Sequence, residues 1–598
     1  MKKRVADIIM DTLADNGVEQ AFCVVGGGAM HLNNALGLTK RIKTIFNHHE
    51  QACAMAAEGY IRYTRNKPAL VCVTTGPGGT NTLTGVMGAY EDSMPMIVIS
   101  GQVRYETTIQ ESGLNLRRRG EQEFNIIDTV KTMTKYVKMV IDPLEIKREV
   151  QKAYDIAMSG RRGPVWLDIP LNVQSAMVEE SDLLPVLPKP EMIKCPDEEF
   201  DEIISLLKNA KSPCILAGSG VASSDQVGNL IKALETMKIP TVSAAVVCNT
   251  LYWEHPLYFG TTGGVGSRCG NLVMQNADVI LDLGCSLGFK QTTFNQDGFV
   301  RNSKIIMLDV NEDEAKKKGL RIHKFVKCDI QYFLEKVIER KISIEPDAGW
   351  LDHCNMLKQK FDLFEGAVGK PDERVVDYNI WKEYITRPSG NETTVLGSAS
   401  CVHPGLGSGR LRKDQVLFTN INCGSMGSGF PIAMGAAVAS GKPFVLVDGD
   451  GSFMMNLQEL QTMVFNKIPV KMILFSNNGY RAISATCRNY FNGVIVGCTP
   501  ESGVNMPNFE KVIKAFDIPY KACQTNADVP DSIDWLLKQP SFCVLEVFQT
   551  YDNPKAPVIK SRLNEDGSSA PAYLYDMFPF LDREELKKCM YNPSIKGG

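Results

Sequence analysis

The stretch VDGDGSFMMNLQELQTMVFNKIPVKMILFSNNGY, Val447 to Tyr480, decides the fold. Residues 443–447 (PFVLV) and 470–475 (VKMILF) are apolar runs of strand length, and Leu457, Leu460 and Val464 between them fall at helical spacing. Strand, helix and strand in that order make a right-handed crossover, whose two strands run parallel and end at one edge of the sheet. Open α/β sheets bind their ligands at that edge, so Asp450 and Asn477 meet there. A carboxylate, an amide oxygen and a nearby backbone carbonyl are hard ligands of the kind Mg²⁺ takes beside diphosphate oxygens and water. Gly449 and Gly451 let the backbone approach a ligand closely. The helix that follows Ser452 turns N–H groups toward an anion. The segment predicts a site for a metal-bridged diphosphate.

The alternation continues on the N-terminal side. Residues 1–180 carry strand-like runs at AFCVV (21–25), ALVCVTT (69–75), MIVISG (96–101) and VWLDIP (165–170). Residues 195–345 repeat the pattern with PCILAGSG (213–220), ADVILDLG (277–284) and KIIMLDV (304–310), and residues 370–550 hold the opening stretch. Three α/β domains follow from this. A proline-bearing stretch, 183–200, reads as a linker. The tail, 551–598, carries the aromatic run YLYDMFPFLD and is expected to pack over the body. GSGV (218–221) follows a strand but lacks the third glycine of a dinucleotide fingerprint, so it reads as a tight strand-to-helix turn. No short internal repeat is visible.

Composition bounds the partners. The chain has 598 residues and a net charge of −3, which points to neither nucleic acid nor an anionic membrane. No apolar run approaches the ~18 residues that span a bilayer. The start, MKKRVADIIMDTLADNG, has the acidic residues and helical pattern of a folded segment rather than a signal peptide. The 17 cysteines are scattered without a Cys-x-x-Cys pair, which suits buried thiols in a reducing, cytoplasmic setting.

The Gly-Asp-Gly and Asn-Asn pair is joined by NHHEQACAMAAEGYIR (47–62), TTGPGGTN (74–81), ISGQV (99–103), RRGPVWLDIP (161–170) and GSMGSGFPIAMGAA (424–437). Together and in this order they resemble the thiamine diphosphate (ThDP) enzymes over nearly the whole chain, and among them the acetohydroxyacid (acetolactate) synthase-like family. The resemblance implies three doubly wound parallel-sheet domains, which bind the pyrimidine, form the middle, and bind the pyrophosphate. It makes Asp450, Asn477 and the carbonyl of Gly479 metal ligands, with Asn478 one position beyond the ligand and Ser476 where the family has a leading Asn. Gly449, Gly451 and Ser452 complete the diphosphate cradle. Pro77 and Asn81 would line the pyrimidine, Gly424 would accept from its amino group, and Met426 would bend the cofactor.

Glu50 is the second anchor. A carboxylate among the small apolar residues of EQACAMAA calls for a partner, because burying it is costly. By resemblance it hydrogen-bonds the pyrimidine ring, where a sequestered carboxyl is kept as a proton donor. Gly27 and Gly28 match glycines whose backbone abuts the reactive carbon, and an N–H there suits a developing oxyanion. Gln122 matches a glutamine that faces substrate, although Glu121 replaces the aromatic residue that precedes it in the synthases. The resemblance also implies that Glu50 and Asp450 serve one cofactor from different subunits, hence a homodimer or homotetramer with sites at the interface.

None of the seven histidines lies between residues 95 and 180, where simple 2-keto acid decarboxylases carry a His-His proton relay. That favours carboligation: a 2-keto acid such as pyruvate loses CO₂ and its acyl unit passes to a second carbonyl, on a keto acid or a keto sugar. A non-oxidative decarboxylase or lyase is the alternative. Three arginines, 117–119, precede Gln122 and suit an anionic or hydroxylated acceptor if they border the cleft. The middle-domain segment GCSLGFKQTTF (284–294) lacks the arginine that accompanies FAD in the synthases, which puts FAD in doubt and leaves a nucleotide compatible with the fold.

Overall fold

A computed structural model describes residues 2–245, 250–361, 369–387, 393–398, 402–408, 410–413, 415–550, 556–563, 569–570 and 572–591. Three six-stranded sheets, all parallel, each carry helices on both faces. The first sheet runs Lys43–Phe46, Gln20–Cys23, Leu70–Val73, Ile97–Gln102, Val165–Pro170, Tyr136–Met139. The third runs Leu417–Thr419, Thr393–Leu396, Phe444–Gly449, Val470–Ser476, Cys543–Phe548, Tyr520–Cys523. Numbered along the chain, both have the order 2-1-3-4-6-5, so the outer domains repeat one plan that no repeated sequence reveals. The middle sheet, between Tyr258–Thr262 and Ile322–Lys327, has the order 3-2-1-4-5-6 of dinucleotide-binding sheets.

The strands form where apolar runs are unbroken, because parallel strands covered on both faces need no polar side. Every residue of Phe444–Gly449 and Val470–Ser476 is buried. The helical turns between them bury Leu460 and Met463, while Val464 faces outward at 38% exposure. Leu460 and Leu457 thus keep their predicted inward positions, and Met463 takes the place predicted for Val464. The strand-to-helix turn at GSGV lies between Pro213–Ala217 and Ser219–Ser223, and a Cβ on Gly218 would lie 2.2 Å from the Gly284 carbonyl oxygen.

The first and third domains join through two helices, Glu50–Thr64 and Gly429–Ser440. Residues 429–437 of the second are buried all round, as its sequence GFPIAMGAA demands. The crossing is backbone to backbone. A Cβ on Gly59 would lie 2.0 Å from the Ile432 carbonyl oxygen, and one on Gly435 would lie 1.8 Å from that of Ala56. Of the proline-bearing stretch, residues 183–196 are irregular, and the helix Asp197–Lys208 starts inside it. Residues 572–591 of the tail lie on the middle domain, while the Ala556 amide donates to the Tyr378 hydroxyl of the third at 3.2 Å. Arg268 donates to the carbonyls of Met577 and Pro579 at 3.1 and 2.9 Å, and the Tyr591 ring lies 5.1 Å from that of Trp350. Residues 551–555, 564–568, 571 and 592–598 lie outside the described residues.

Candidate active site

In a sheet of order 2-1-3-4 the crossovers leave in opposite directions from strands 1 and 3, and the crevice between their carboxyl ends is the natural ligand site. In the third domain those ends are Leu396, followed by Gly397 and Ser398, and Gly449, followed by Asp450. Asn477 follows the neighbouring strand, in register through the pair Gly449 and Phe475. Asp450 Oδ2 accepts the Asn477 and Asn478 amides at 2.8 and 2.7 Å, and Oδ1 accepts the Gly451 amide at 2.8 Å. Burial pushes the Asp450 carboxyl up, and these backbone donors oppose the shift. Asn478 takes the left-handed conformation, φ 59°, and its Oδ1 accepts the Met506 amide at 3.0 Å. It shapes the loop rather than extending the ligand set.

The donor set fits a divalent ion, and its glycines are fixed by close packing within the turn. Asp450, Asn477 and the Gly479 carbonyl are hard oxygen donors. A Cβ on Gly451 would lie 2.4 Å from Tyr480 Cε1, and one on Gly479 would lie 2.0 Å from the Cys498 carbonyl oxygen. Ser452 departs from its expected role in part: its hydroxyl donates to Asp448 Oδ2 at 3.1 Å and accepts the Gly427 amide at 2.9 Å. The side chain thus braces the turn.

The equivalent crevice of the first sheet lies between Cys23, which leads to Gly27 and Gly28, and Val73, which leads to Pro77. Glu50 opens the helix Glu50–Thr64, and its Oε2 accepts the Asn81 amide nitrogen at 2.9 Å. Glu50 is half-buried within the single chain, not sequestered as its sequence neighbours suggested. Gln122 is exposed and left-handed, φ 58°, a conformation a side-chain-bearing residue adopts at a cost of roughly 1–3 kcal/mol. Its carbonyl presses on Gly76: a Cβ there would lie 2.3 Å away. Gln122, Pro77, Asn81 and Glu50 therefore share one edge. The Gly28 amide is not free for an oxyanion, because it donates to Thr74 Oγ1 at 3.0 Å. The glycine is instead required by packing, since its Cβ would lie 2.2 Å from Thr75 Oγ1.

Gly424, φ 63°, and the half-buried Met426 lie in the loop after Leu417–Thr419. The Gly424 carbonyl accepts Ser398 Oγ at 3.2 Å, which leaves its second lone pair. All three domains hold this loop. Asn420 Nδ2 donates to Glu58 Oε2 at 2.8 Å, Asn422 donates to Asp92, and Arg62 bridges Glu58 and Asp92. Lys290 of the middle domain donates to the Ile421 carbonyl. Burial pushes the Glu58 carboxyl up and Arg62 pulls it down.

Sequence reasoning passed over Glu459. This fully buried carboxylate accepts the amides of His48 and His49 at 3.0 and 3.1 Å, Asn47 Nδ2 at 2.9 Å and Thr462 Oγ1 at 2.7 Å. It ties the helical turns behind Asp450 to the residues in front of Glu50. Its one signal was a Glu on the apolar face of those turns.

Two glycine-lined crevices on sheets of identical order, one edged by the oxygen-bearing side chains of Asp450 and Asn477 and the other by the Glu50 carboxyl, have the form of a ThDP-binding enzyme. The sequence models of the thiamine pyrophosphate enzymes agree: the N-terminal TPP-binding domain matches residues 3–128, the central domain 200–337 and the C-terminal TPP-binding domain 407–547. The chain belongs to this family and is a ThDP-dependent transferase of the acetolactate synthase-like type. It is 28% identical to a chloroplastic acetolactate synthase of Arabidopsis thaliana, across 94% of this chain and 83% of that one. It is 27% identical to the large subunit of acetolactate synthase isozyme 1 of Escherichia coli (strain K12), across 91% and 93%.

Proposed function

We propose that the protein is a Mg²⁺-dependent carboligase that decarboxylates pyruvate or a similar 2-keto acid and transfers the acyl unit to a second carbonyl, on a keto acid or keto sugar. The observation that carries the metal assignment is the 2.8 Å bond between Asp450 Oδ2 and the Asn477 amide, which sets two oxygen-bearing side chains at adjacent strand tips. ThDP, when bound, would supply a nucleophilic carbon and a sink for the electrons that decarboxylation leaves behind. Asp450, Asn477 and the Gly479 carbonyl hold the ion. Glu50, oriented by Asn81, exchanges a proton with the ring. Gln122 faces the substrate from the Gly76–Pro77 turn. The segment 95–180 offers no imidazole to protonate the product before the second carbonyl arrives.

Two subunits complete each site in this reading. Glu50 is half-exposed in one chain, and apolar side chains flank both crevices. Val25 is 60% and Phe46 50% exposed beside the first; Val494 is 65% and Val496 72% exposed where the chain returns toward Gly479 at the second. Surfaces of this kind call for a partner, and a second copy supplies complementary elements. No described helix is long and apolar enough to cross a membrane. The described cysteines are free thiols, all buried except the half-buried Cys423, and on that ground we place the enzyme in the reducing cytoplasm. The test is incubation with ThDP, Mg²⁺ and pyruvate. Acetolactate supports the keto acid acceptor, CO₂ release only on adding a keto sugar supports the sugar acceptor, and acetaldehyde alone makes the enzyme a decarboxylase.

A further inference from the structure

We propose that Gln549 and Asp377 are positioning residues that determine which end of the Asn477 carboxamide faces the metal ion; this rests on the metal site proposed above. A carboxamide has one ligating end. Its oxygen binds a hard cation and its NH₂ repels one, yet a half-turn about Cβ–Cγ exchanges the two at almost no steric cost. Something must therefore choose the end.

The choice is made by a directional chain of hydrogen bonds. An ionised carboxylate accepts and does not donate. Asp377, 3% exposed, opens the helix Asp377–Thr386, and Arg481 Nη1 lies 3.8 Å from its Oδ2 as its ion-pair partner. Gln549, fully buried, donates Nε2 to Asp377 Oδ1. Its Oε1 is then the end presented to Asn477, and Asn477 Nδ2 donates to it at 3.0 Å. The Asn477 oxygen is thereby turned away from Gln549. Reversing Asn477 would set oxygen against oxygen, and reversing Gln549 as well would set oxygen against the Asp377 carboxylate. Burial removes the water that would soften either mismatch.

The backbone brings the three together. Asn477 and Gln549 follow adjacent parallel strands in register through Ser476 and Phe548. Val375 pairs with Gln549 as an isolated parallel bridge, with its amide 3.0 Å from the Phe548 carbonyl, and so carries Asp377 to the same sheet edge. Partners behind a metal ligand orient it in this way generally.

The experiment measures ThDP affinity by calorimetry on the full chain, with Mg²⁺ and with a chelator. Gln549→Leu is expected to weaken the Mg²⁺-dependent affinity about 10–100-fold. The same change in an Asn477→Asp background is expected to weaken it by no more than about twofold, because a carboxylate has two equivalent oxygens and needs no orienting. Asp377→Asn, which lets the Gln549 amide reverse, is expected to act in the same direction as Gln549→Leu and by less, and it serves where Gln549→Leu does not fold. An unchanged Mg²⁺ dependence in these variants overturns the orienting role, and so does a loss from Gln549→Leu that is equally large in the wild-type and Asn477→Asp backgrounds. Asp450→Ala separates the two readings: if it keeps Mg²⁺-dependent binding, the metal site itself is wrong.

Discussion

The Glu459 carboxylate accepts the backbone amide of His49, 3.1 Å away, and His49 is the residue before Glu50. The helical turns that follow Asp450 therefore hold the start of the helix that presents Glu50. Glu459→Ala would leave the His48 and His49 amides and Asn47 Nδ2 without this acceptor, at a cost of about 1–3 kcal/mol for each group left unpaired. A lower melting temperature together with reduced turnover is expected. Glu459→Gln keeps one accepting oxygen and should retain more of both.

Glu50→Gln should reduce turnover by about 10²–10⁴-fold, the range of a lost proton-transfer group. ThDP binding should largely survive, because Asn81 still has an amide oxygen to donate to. Steady-state rates and calorimetry on one preparation check both halves. Unchanged turnover would remove Glu50 from the chemistry.

Asp450→Ala is expected to abolish the Mg²⁺-dependent part of ThDP binding. It also removes the acceptor for the Asn477, Asn478 and Gly451 amides, so the 476–480 turn should loosen. Titration of ThDP with and without Mg²⁺ reads the first effect, and hydrogen exchange of the turn reads the second.

Asp168 supplies a pH signature. It is fully buried, and burial pushes its carboxyl up to about 7 against the opposing bonds from Ser100 and Gln102. Between an unfolded value of about 4 and this folded value, the native state holds the proton and the unfolded state does not. This group's contribution to stability thus falls as pH rises through that window, by up to about 1.4 kcal/mol per pH unit, and levels off above it. Denaturation at several pH values should show the slope in the wild type and a shallower one in Asp168→Asn.

Gly435→Ala would drive a Cβ to 1.8 Å from the Ala56 carbonyl oxygen. Overpacking of this kind costs about 1–3 kcal/mol or more, and the helix pair has no flexible side chain at that point to give way. A lower midpoint in urea is expected, with loss of activity following loss of fold.

The strands and the meeting of Asp450 with Asn477 were legible because both residues close unbroken apolar runs, and parallel pairing does the rest. The bond between Glu50 and Asn81 was not legible: family resemblance set each beside the pyrimidine separately, and nothing local links two residues 31 apart. The Gly28 amide was misread because its acceptor, Thr74, arrives from another strand. Val464 misled because positions three and four residues after Leu460 lie on nearly the same helix face, and the core takes Met463 of the two. Gln549 carried no signal: a lone glutamine after a strand looks like any loop residue until Asp377 is placed beside it.

The crossing of Gly59 and Gly435 against opposing carbonyls has a mechanical consequence. Where two helices meet main chain to main chain, no layer of rotatable atoms remains to act as a bearing, so clam-like opening of one chain's outer domains is opposed at this seam.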